Sequence, residues 1–247
     1  MGIINLTPDS FYEPSRYDLS ILDSGADIID IGACSTRPGS VPVDEGEEWR
    51  RLEPVIWDIA RHHPDLTLSI DTFRPGIVER VHRYLPRFVV NDVSGASDPG
   101  MLPLVSALSL PYVAMHGWRE HIGPGRRPGL RGNITEEVAA FFEDFALRLS
   151  EARVHEWYLD PGFGFGKTVR ENLQLLEDLP RLKAFGRPLL VGISRKRMTF
   201  EPAGRSPSQA LEETSRLHLQ ALRNGADILR VHDVGAASEV ISRYRES

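Results

Sequence analysis

Short apolar runs alternate with amphipathic stretches along the whole chain. Several runs are apolar at consecutive positions, as in Ile28-Ile29 and Phe88-Val89-Val90, which is typical of parallel strands that are buried on both faces. Eight strands are predicted on this basis. They are Gly2–Leu6, Ala26–Gly32, Leu66–Thr72, Phe88–Val93, Tyr112–Met115, Trp157–Asp160, Pro188–Ile193 and Ile228–Val234.

The stretches between these runs carry apolar residues at the spacing of a helix. The clearest predicted helices span Asp44–His62, Thr135–Glu151 and Pro207–Asn224, and the last one precedes Gly225, a residue type that often ends a helix. Eight strands, each followed by a helix, fit a closed (β/α)8 barrel, for which about 250 residues are typical. No shift in composition marks a second domain, so residues 1–247 are expected to form one.

The composition narrows the range of partners. The net charge of −6, from 29 basic and 35 acidic residues, argues against a nucleic-acid or membrane-surface protein. A single cysteine, Cys34, excludes an intrachain disulfide and favours a reducing cytoplasm. The sequence contains neither an apolar run long enough to span a bilayer nor an N-terminal signal segment. Small-molecule chemistry is therefore the class to pursue.

A glycine-rich segment, Asp160-Pro-Gly-Phe-Gly-Phe-Gly-Lys-Thr168, follows the sixth predicted strand. Its glycines allow a tight turn and a close approach to a flat ligand, and its phenylalanines offer ring faces. A carboxylate beside such walls could hold a planar heterocycle through adjacent N–H groups; the alternative is a tight turn with a capping aspartate. Among the three lysines of this arginine-rich chain, Lys167 and Lys196 lie in such motifs and are candidates, whereas Lys183 lies in a helical stretch.

Polar residues occupy the carboxyl end of nearly every predicted strand. Barrel enzymes place their chemistry at that end, and so many polar groups on one rim would be costly to bury without a polar ligand. These ends are Asn5, Ser35-Thr36-Arg37, Asp71, Asn91, Met115-His116, Asp160, Ser194-Arg195-Lys196, and Arg230 with His232. The segment Gly117–Gly132, rich in Gly, Pro and Arg, is interpreted as a mobile loop after the fifth strand.

An ordered set of motifs resembles dihydropteroate synthase, the folate-pathway enzyme. The matching stretches are Asn5–Phe11, Gly25–Gly32, Ser35–Gly39, Ser69–Thr72, Asn91–Gly95, Asp160–Thr168, Ser194–Lys196 and Arg230–Val234. The resemblance implies a (β/α)8 enzyme that joins 7,8-dihydropterin-6-ylmethyl diphosphate to p-aminobenzoate and releases diphosphate. It also implies assistance by magnesium and a homodimer.

The resemblance assigns roles to residues of this chain. The pterin would be held by Asp71, Asn91, Asp160 and Lys196, with Met115 and Phe165 beside the ring. The diphosphate would be bound by Arg37, Arg230 and His232, with Thr36 nearby, and Arg37, Lys196, Arg230 and His232 form the implied catalytic set. The p-aminobenzoate pocket would include Phe11, Pro38, Phe165 and Arg197, and Asn5 would contribute to the magnesium site.

Physical chemistry is consistent with these roles. A carboxylate such as Asp160 can accept the exocyclic amine and the ring N–H of a pterin as a bidentate pair. Arginines, a protonated His232 and magnesium would stabilise the charge that develops on departing diphosphate. Because the electron-rich dihydropterin can stabilise a cation at its exocyclic methylene, a dissociative substitution is expected. Two structural alternatives remain open: Arg230 could form an ion pair with Asp233, and Asp71 could cap a helix that starts near Pro75.

The chain departs from the family pattern at three places. Cys34 stands where Glu or Gln is usual and is interpreted as an ordinary loop residue. Arg197 replaces a small residue, so its guanidinium or a nearby backbone N–H is expected to meet the p-aminobenzoate carboxylate. The interval Tyr12–Ser24 is short, so either the first βα unit is reduced or, as we favour, loop residues are missing from the sequence as printed.

Two other functions compete with the synthase. A methyltetrahydrofolate:corrinoid methyltransferase is a related pterin-binding barrel, but it would not need Arg37, Lys196, Arg230 and His232 together. A catalytically inactive barrel that serves as a binding subunit is supported only by the short first unit.

Overall fold

The computed structural model describes residues 1–7, 19–35, 42–117 and 133–246. Eight strands occur within these ranges, at the predicted positions but mostly shorter than predicted. They are β1 Gly2–Asn5, β2 Ile29–Gly32, β3 Leu68–Asp71, β4 Val89–Asp92, β5 Tyr112–Met115, β6 Trp157–Asp160, β7 Leu190–Val191 and β8 Ile228–Leu229.

The strands form a closed parallel barrel. Strands β1 to β6 pair in sequential order, and β7 pairs with β8. Single parallel bridges join Leu159 to Leu189 and Gly2 to Val231. The contact between β1 and the segment after β8 includes a hydrogen bond from the Ile3 amide to the Val231 carbonyl at 3.0 Å. The (β/α)8 barrel predicted from the sequence is confirmed.

Helices cover the outside of the barrel. They are α1 Glu45–His62, α2 Pro75–His82, α3 Met101–Ala107, α4 Ile134–Glu151, α5 Val169–Glu177, α6 Leu179–Leu182, α7 Leu211–Arg223 and α8 Val234–Arg245. Side-chain caps fix several starts: Asp44 accepts from the Glu47 amide, and Thr168 and Glu171 form a reciprocal capping box. None of the helices in the described ranges combines the length and the apolarity that a bilayer crossing requires.

Two predicted helical regions differ in detail. The predicted helix Pro207–Asn224 is divided into a 3-10 turn at Pro207–Gln209 and the α-helix that begins at Leu211. Between β1 and β2, the described residues contain a 3-10 turn at Leu19–Asp23, and residues 8–18 lie outside the described ranges.

The interior of the barrel changes character along its axis. Its apolar floor contains Val89, Val113 and Leu190, packed against neighbours that include Tyr158. Polar residues such as Asp30 are completely buried inside the barrel. A dry floor below polar groups provides a closed end for a ligand site at the carboxyl rim.

Candidate active site

The parallel register brings the predicted pterin-binding residues to one rim. Asp71 is the Cα partner of Asn91 in the β3–β4 pair, and Met115 is the partner of Asp160 in the β5–β6 pair. Because all four lie at carboxyl ends of strands in one continuous sheet, their side chains surround a single opening. This convergence was predicted from the strand ends.

Arg230 connects three strands through partly buried ion pairs. Its Nε donates to Asp30 Oδ2 at 2.7 Å, and its Nη2 lies 2.6 Å from the same oxygen and 2.9 Å from Asp71 Oδ2. The alternative pairing of Arg230 with Asp233 is therefore wrong. Asp71 also does not cap α2, whose N-cap position is occupied by Arg74.

Two buried acceptors on the rim have no hydrogen-bond partner among the described residues. They are Oδ1 of Asp71 and Oδ1 of Asn91. Burial raises the pKa of Asp71 to about 7, although Arg230 opposes the shift. An unpartnered buried acceptor typically costs about 1–3 kcal/mol, so both oxygens favour a ligand that presents N–H groups.

The glycine-rich loop is held by its own lysine. Asp160 Oδ1 accepts from the Gly162 amide at 2.8 Å, and Lys167 Nζ donates to the carbonyls of Gly162 and Phe165 at 2.9 and 3.2 Å. Gly162 has φ +68°, and a Cβ there would lie 1.7 Å from the carbonyl oxygen of His116. Lys167 therefore fixes the loop, which assigns this candidate lysine a structural role.

Lys196 approaches the same opening from the segment after β7. Its Nζ donates to the Phe163 carbonyl at 2.5 Å and lies 4.8 Å from the centroid of the Phe165 ring. Burial lowers the pKa of Lys196 to about 8, while the charge of Asp160 opposes the shift. Gly192 lies beside both cationic side chains, because a Cβ there would be in ordinary van der Waals contact with Arg230 Cβ at 3.8 Å and Lys196 Nζ at 3.9 Å.

A small apolar cluster lies beside the polar rim. Val93 and Met115 are buried, and Phe73 and Phe165 pack against them. Met115 and Phe165 were predicted to flank the pterin ring. Phe73 was not predicted, although an aromatic residue directly after the Ser69–Thr72 motif is the signal that could have indicated it.

The surroundings of His232 favour its neutral form. Burial, with the charge of Arg230, lowers its pKa to about 3, and its Nδ1 lies 3.0 Å from Ser194 Oγ. The charge of Arg230 therefore disfavours the protonated form, and the expectation of a protonated His232 beside the departing diphosphate stays a prediction. A neutral imidazole can still donate one N–H to an anion.

A buried ion pair joins the segments that follow β7 and β8. Arg195 Nε and Nη2 each donate to a carboxylate oxygen of Asp233 at 2.8 Å, and Arg195 Nη1 donates to the Pro207 carbonyl at 2.9 Å. Only 4% of the Arg195 side chain is exposed. Arg195 directly precedes Lys196, and Asp233 directly follows His232, so the ion pair connects the two segments that carry these predicted site residues. The sequence patterns did not indicate this ion pair.

A second buried network lies next to Cys34. Glu48 is fully buried, accepts from Thr72 Oγ1 at 2.7 Å and pairs with Arg74, which also donates to the carbonyl of Val43. Burial and Glu48 raise the pKa of the Cys34 thiol, which keeps it protonated. A thiol is a weaker nucleophile than its thiolate, which is consistent with the interpretation of Cys34 as an ordinary residue.

The remaining predicted residues divide into two groups. Asn5 ends β1 beside Gly32 of β2. Arg197 is 70% exposed and pairs with Glu201 at 2.6 and 2.9 Å, so its guanidinium is already engaged at the surface, and its contact with p-aminobenzoate stays a prediction. The predicted contacts Phe11, Thr36, Arg37 and Pro38, together with most of Gly117–Gly132, lie outside the described residues.

The family described as pterin binding enzyme matches residues 1–232, and this chain belongs to it. A dihydropteroate synthase of Escherichia coli strain K12 is 34% identical over 252 residues, which cover 98% of this chain and 88% of that protein. The folic acid synthesis protein fol1 of Pneumocystis carinii is 36% identical over 250 residues; the match covers 95% of this chain and about a third, 34%, of that longer protein.

Solved structures give the same result. A Xanthomonas albilineans dihydropteroate synthase with 4-aminobenzoic acid superposes with a TM-score of 0.89 at 37% identity, covering 100% of this chain and 91% of that one. A Yersinia pestis dihydropteroate synthase in a sulfonamide drug complex gives 0.89 at 33% identity, covering 100% and 92%. Within the pterin-binding family, these near-full-length relatives identify a transferase of folate biosynthesis, as the sequence motifs predicted.

Proposed function

We propose that this chain condenses 7,8-dihydropterin-6-ylmethyl diphosphate with p-aminobenzoate to give 7,8-dihydropteroate and diphosphate. The observation that carries the proposal is the pair of buried, unpartnered acceptor oxygens on Asp71 and Asn91, on the same rim as Asp160 and Lys196. The near-full-length dihydropteroate synthase relatives support the same reaction.

The polar rim suits a pterin held edge-on. Asp160, Asp71 and Asn91 offer acceptor oxygens to the amine and ring N–H groups. Lys196, mostly protonated near neutral pH, offers a donor, and its ammonium already lies over the Phe165 ring. The apolar faces of Met115 and Phe165 can cover the ring while its polar edge meets the carboxylates.

The chemistry is a dissociative substitution at the pterin methylene. The bond to diphosphate breaks first, and the electron-rich dihydropterin stabilises the cation that develops at the methylene. Arg230 and the neutral N–H of His232 are the described donors toward the departing anion, with Arg37 and Thr36 assigned there by resemblance. Donors aimed at developing charge typically contribute about 2.7–4 kcal/mol each. The uncharged aniline nitrogen then attacks the methylene cation, and the anilinium that forms releases its proton to solvent, so no strong general base is needed.

Magnesium is part of the proposal. The ion prefers oxygen ligands and is usually held by one or two side chains together with substrate phosphates. Asn5 supplies an amide oxygen at the rim, whereas within the described ranges no group of three His, Cys, Asp or Glu side chains is placed to hold a metal. A single amide ligand fits a magnesium ion whose other ligands include diphosphate oxygens. There the ion would act as a Lewis acid and neutralise negative charge.

A homodimer and a cytoplasmic location complete the proposal. The family resemblance supports the first, and the use of a single cysteine, Cys34, supports the second. Light scattering on the purified full chain tests the dimer.

The decisive experiment supplies both substrates with Mg²⁺ and measures diphosphate and 7,8-dihydropteroate together. Both products should appear in equal amounts, only when both substrates are present, and a sulfonamide should compete with p-aminobenzoate. Asp160→Asn should lower kcat/KM at least about tenfold, since the amide accepts at only one of its two ends. Asp144→Asn, at an exposed position on α4, is the matched control.

Each contrary result has a distinct meaning. Pterin binding without any product would indicate an inactive barrel. Methyl transfer from methyltetrahydrofolate to a corrinoid, without diphosphate release, would indicate the methyltransferase.

A further inference from the structure

We propose that Asp30 is a positioning residue that fixes the orientation of the Asn91 amide and thereby selects ligands that donate a hydrogen bond at that position. The inference deepens the proposed function and rests on pterin as the ligand class. It concerns a side chain that lies inside the barrel, beneath the groups expected to touch the ligand.

Asp30 is placed to control both ends of the Asn91 amide. It lies on β2, is completely buried, and its two carboxylate oxygens lie 3.2 and 3.1 Å from Asn91 Nδ2. A carboxylate paired with an arginine can only accept hydrogen bonds. The NH2 end of the Asn91 amide must therefore face Asp30, since a flip would bring Oδ1 against two anionic oxygens.

The other end of the amide is defined as a consequence. Asn91 Oδ1 points away from Asp30 and is buried without a partner among the described residues. The position accordingly presents a hydrogen-bond acceptor. A ligand atom that donates is favoured there, and a ligand that lacks this donor leaves the oxygen unsatisfied at a cost.

Asp30 imposes a similar order on Arg230. Nε and Nη2 of the guanidinium both converge on Asp30 Oδ2, and Nη2 is shared with Asp71. Nη1 makes no hydrogen bond within the part of the chain that the structure describes. The Asp30 carboxylate thus holds two groups of the same rim, the Asn91 amide and the Arg230 guanidinium. These residues follow Asp30 by 61 and 200 positions in the sequence.

Asp30→Asn tests the amide orientation with little change in volume. An asparagine at position 30 can donate to Asn91 Oδ1, which would let the Asn91 amide flip and present Nδ2 to the ligand. The readout is the ratio of equilibrium affinities for pterin and for its 2-deamino analogue, measured calorimetrically without turnover. In the wild type this ratio contains contributions from both Asp160 and Asn91. Asp30→Asn also removes the charge that pairs with Arg230, so the change is assigned to Asn91 only if the exchanged pair described below reverses it.

We expect Asp30→Asn to lower the pterin preference about fivefold or more, the size of one hydrogen bond. The exchanged pair Asp30→Asn/Asn91→Asp should restore the preference, because the amide introduced at position 30 would then donate to a carboxylate that still presents an acceptor. Rescue of a ligand preference is not expected from a residue that only supports the fold.

Two outcomes overturn the inference. An unchanged ratio in folded Asp30→Asn would show that Asp30 does not set the amide orientation. If that variant does not fold, Asn91→Leu replaces it, and an unchanged ratio there would show that Oδ1 does not meet the exocyclic amine. Failure of the wild type to bind pterin at all would instead refute the proposed function.

Discussion

The protonation of Asp71 should make the stability of the folded chain depend on pH. Burial raises the pKa of this carboxyl from 3.8 to about 7, against the opposing charge of Arg230. Between these two values the folded state retains a proton that the unfolded state has lost. Stability therefore falls as the pH rises through this window and levels off above about pH 7.

Asp71→Asn removes this dependence and retains the shape of the side chain. Between pH 5.5 and 7 the unfolding free energy of the wild type should fall by about 1.4 kcal/mol for each pH unit. Over about 1.5 units this amounts to about 2 kcal/mol. The side chain of the variant cannot ionise. The unfolding free energy of the variant minus that of the wild type should therefore increase by about 2 kcal/mol between pH 5.5 and pH 8.5. For a chain of this size that corresponds to about 4–8 °C in Tm.

Urea unfolding at the two pH values, followed by the fluorescence of the four tryptophans, measures the difference. Glu151→Gln, an exposed substitution at the end of α4, is the control and should shift both curves equally. If the difference in unfolding free energy between Asp71→Asn and the wild type is the same at both pH values, Asp71 is ionised throughout and the reasoning fails.

Three further predictions test other features. Gly162→Ala should prevent folding, because its Cβ would lie 1.7 Å from a carbonyl oxygen. Gly186→Ala is the control: its φ is also positive, but no atom lies within 4 Å, so it should cost only about 1–2 kcal/mol. Soluble yield and Tm compare the two variants. Asp233→Asn should lower the unfolding free energy by about 3 kcal/mol in urea, since Arg195 keeps a buried charge. Arg197→Ala should change the KM for p-aminobenzoate less than about twofold, because that guanidinium is exposed and already paired; a large increase would restore the role expected from sequence.

The barrel was predictable because its signal is repeated eight times. Runs of consecutive apolar residues mark strands that are buried on both faces, and this constraint is local. Strand length was less predictable, because a strand ends where its neighbour stops supplying ladder hydrogen bonds. Strands β7 and β8 accordingly cover only Leu190–Val191 and Ile228–Leu229 of longer predicted runs.

The contacts of the site were predictable only in part. Asp71, Asn91 and Asp160 could be placed together because parallel register aligns the ends of neighbouring strands. Asp30 lies in a motif that was recognised, but its role depends on Arg230, 200 positions away. Arg195 likewise looks like a generic rim arginine until its bidentate partner, 38 positions later, is known.

The burial of ionisable and polar groups explains why this rim favours a ligand. Burial raises the pKa of Asp71 and Asp160 and lowers the pKa of Lys196, so it disfavours the charged form of each group. Oδ1 of Asp71 and Oδ1 of Asn91 add unsatisfied acceptors. A ligand edge with N–H donors relieves both costs at once, because hydrogen bonds to the carboxylates favour their ionised forms. An apolar ring of the same shape would relieve neither, so the polarity of the rim discriminates between ligands of equal shape.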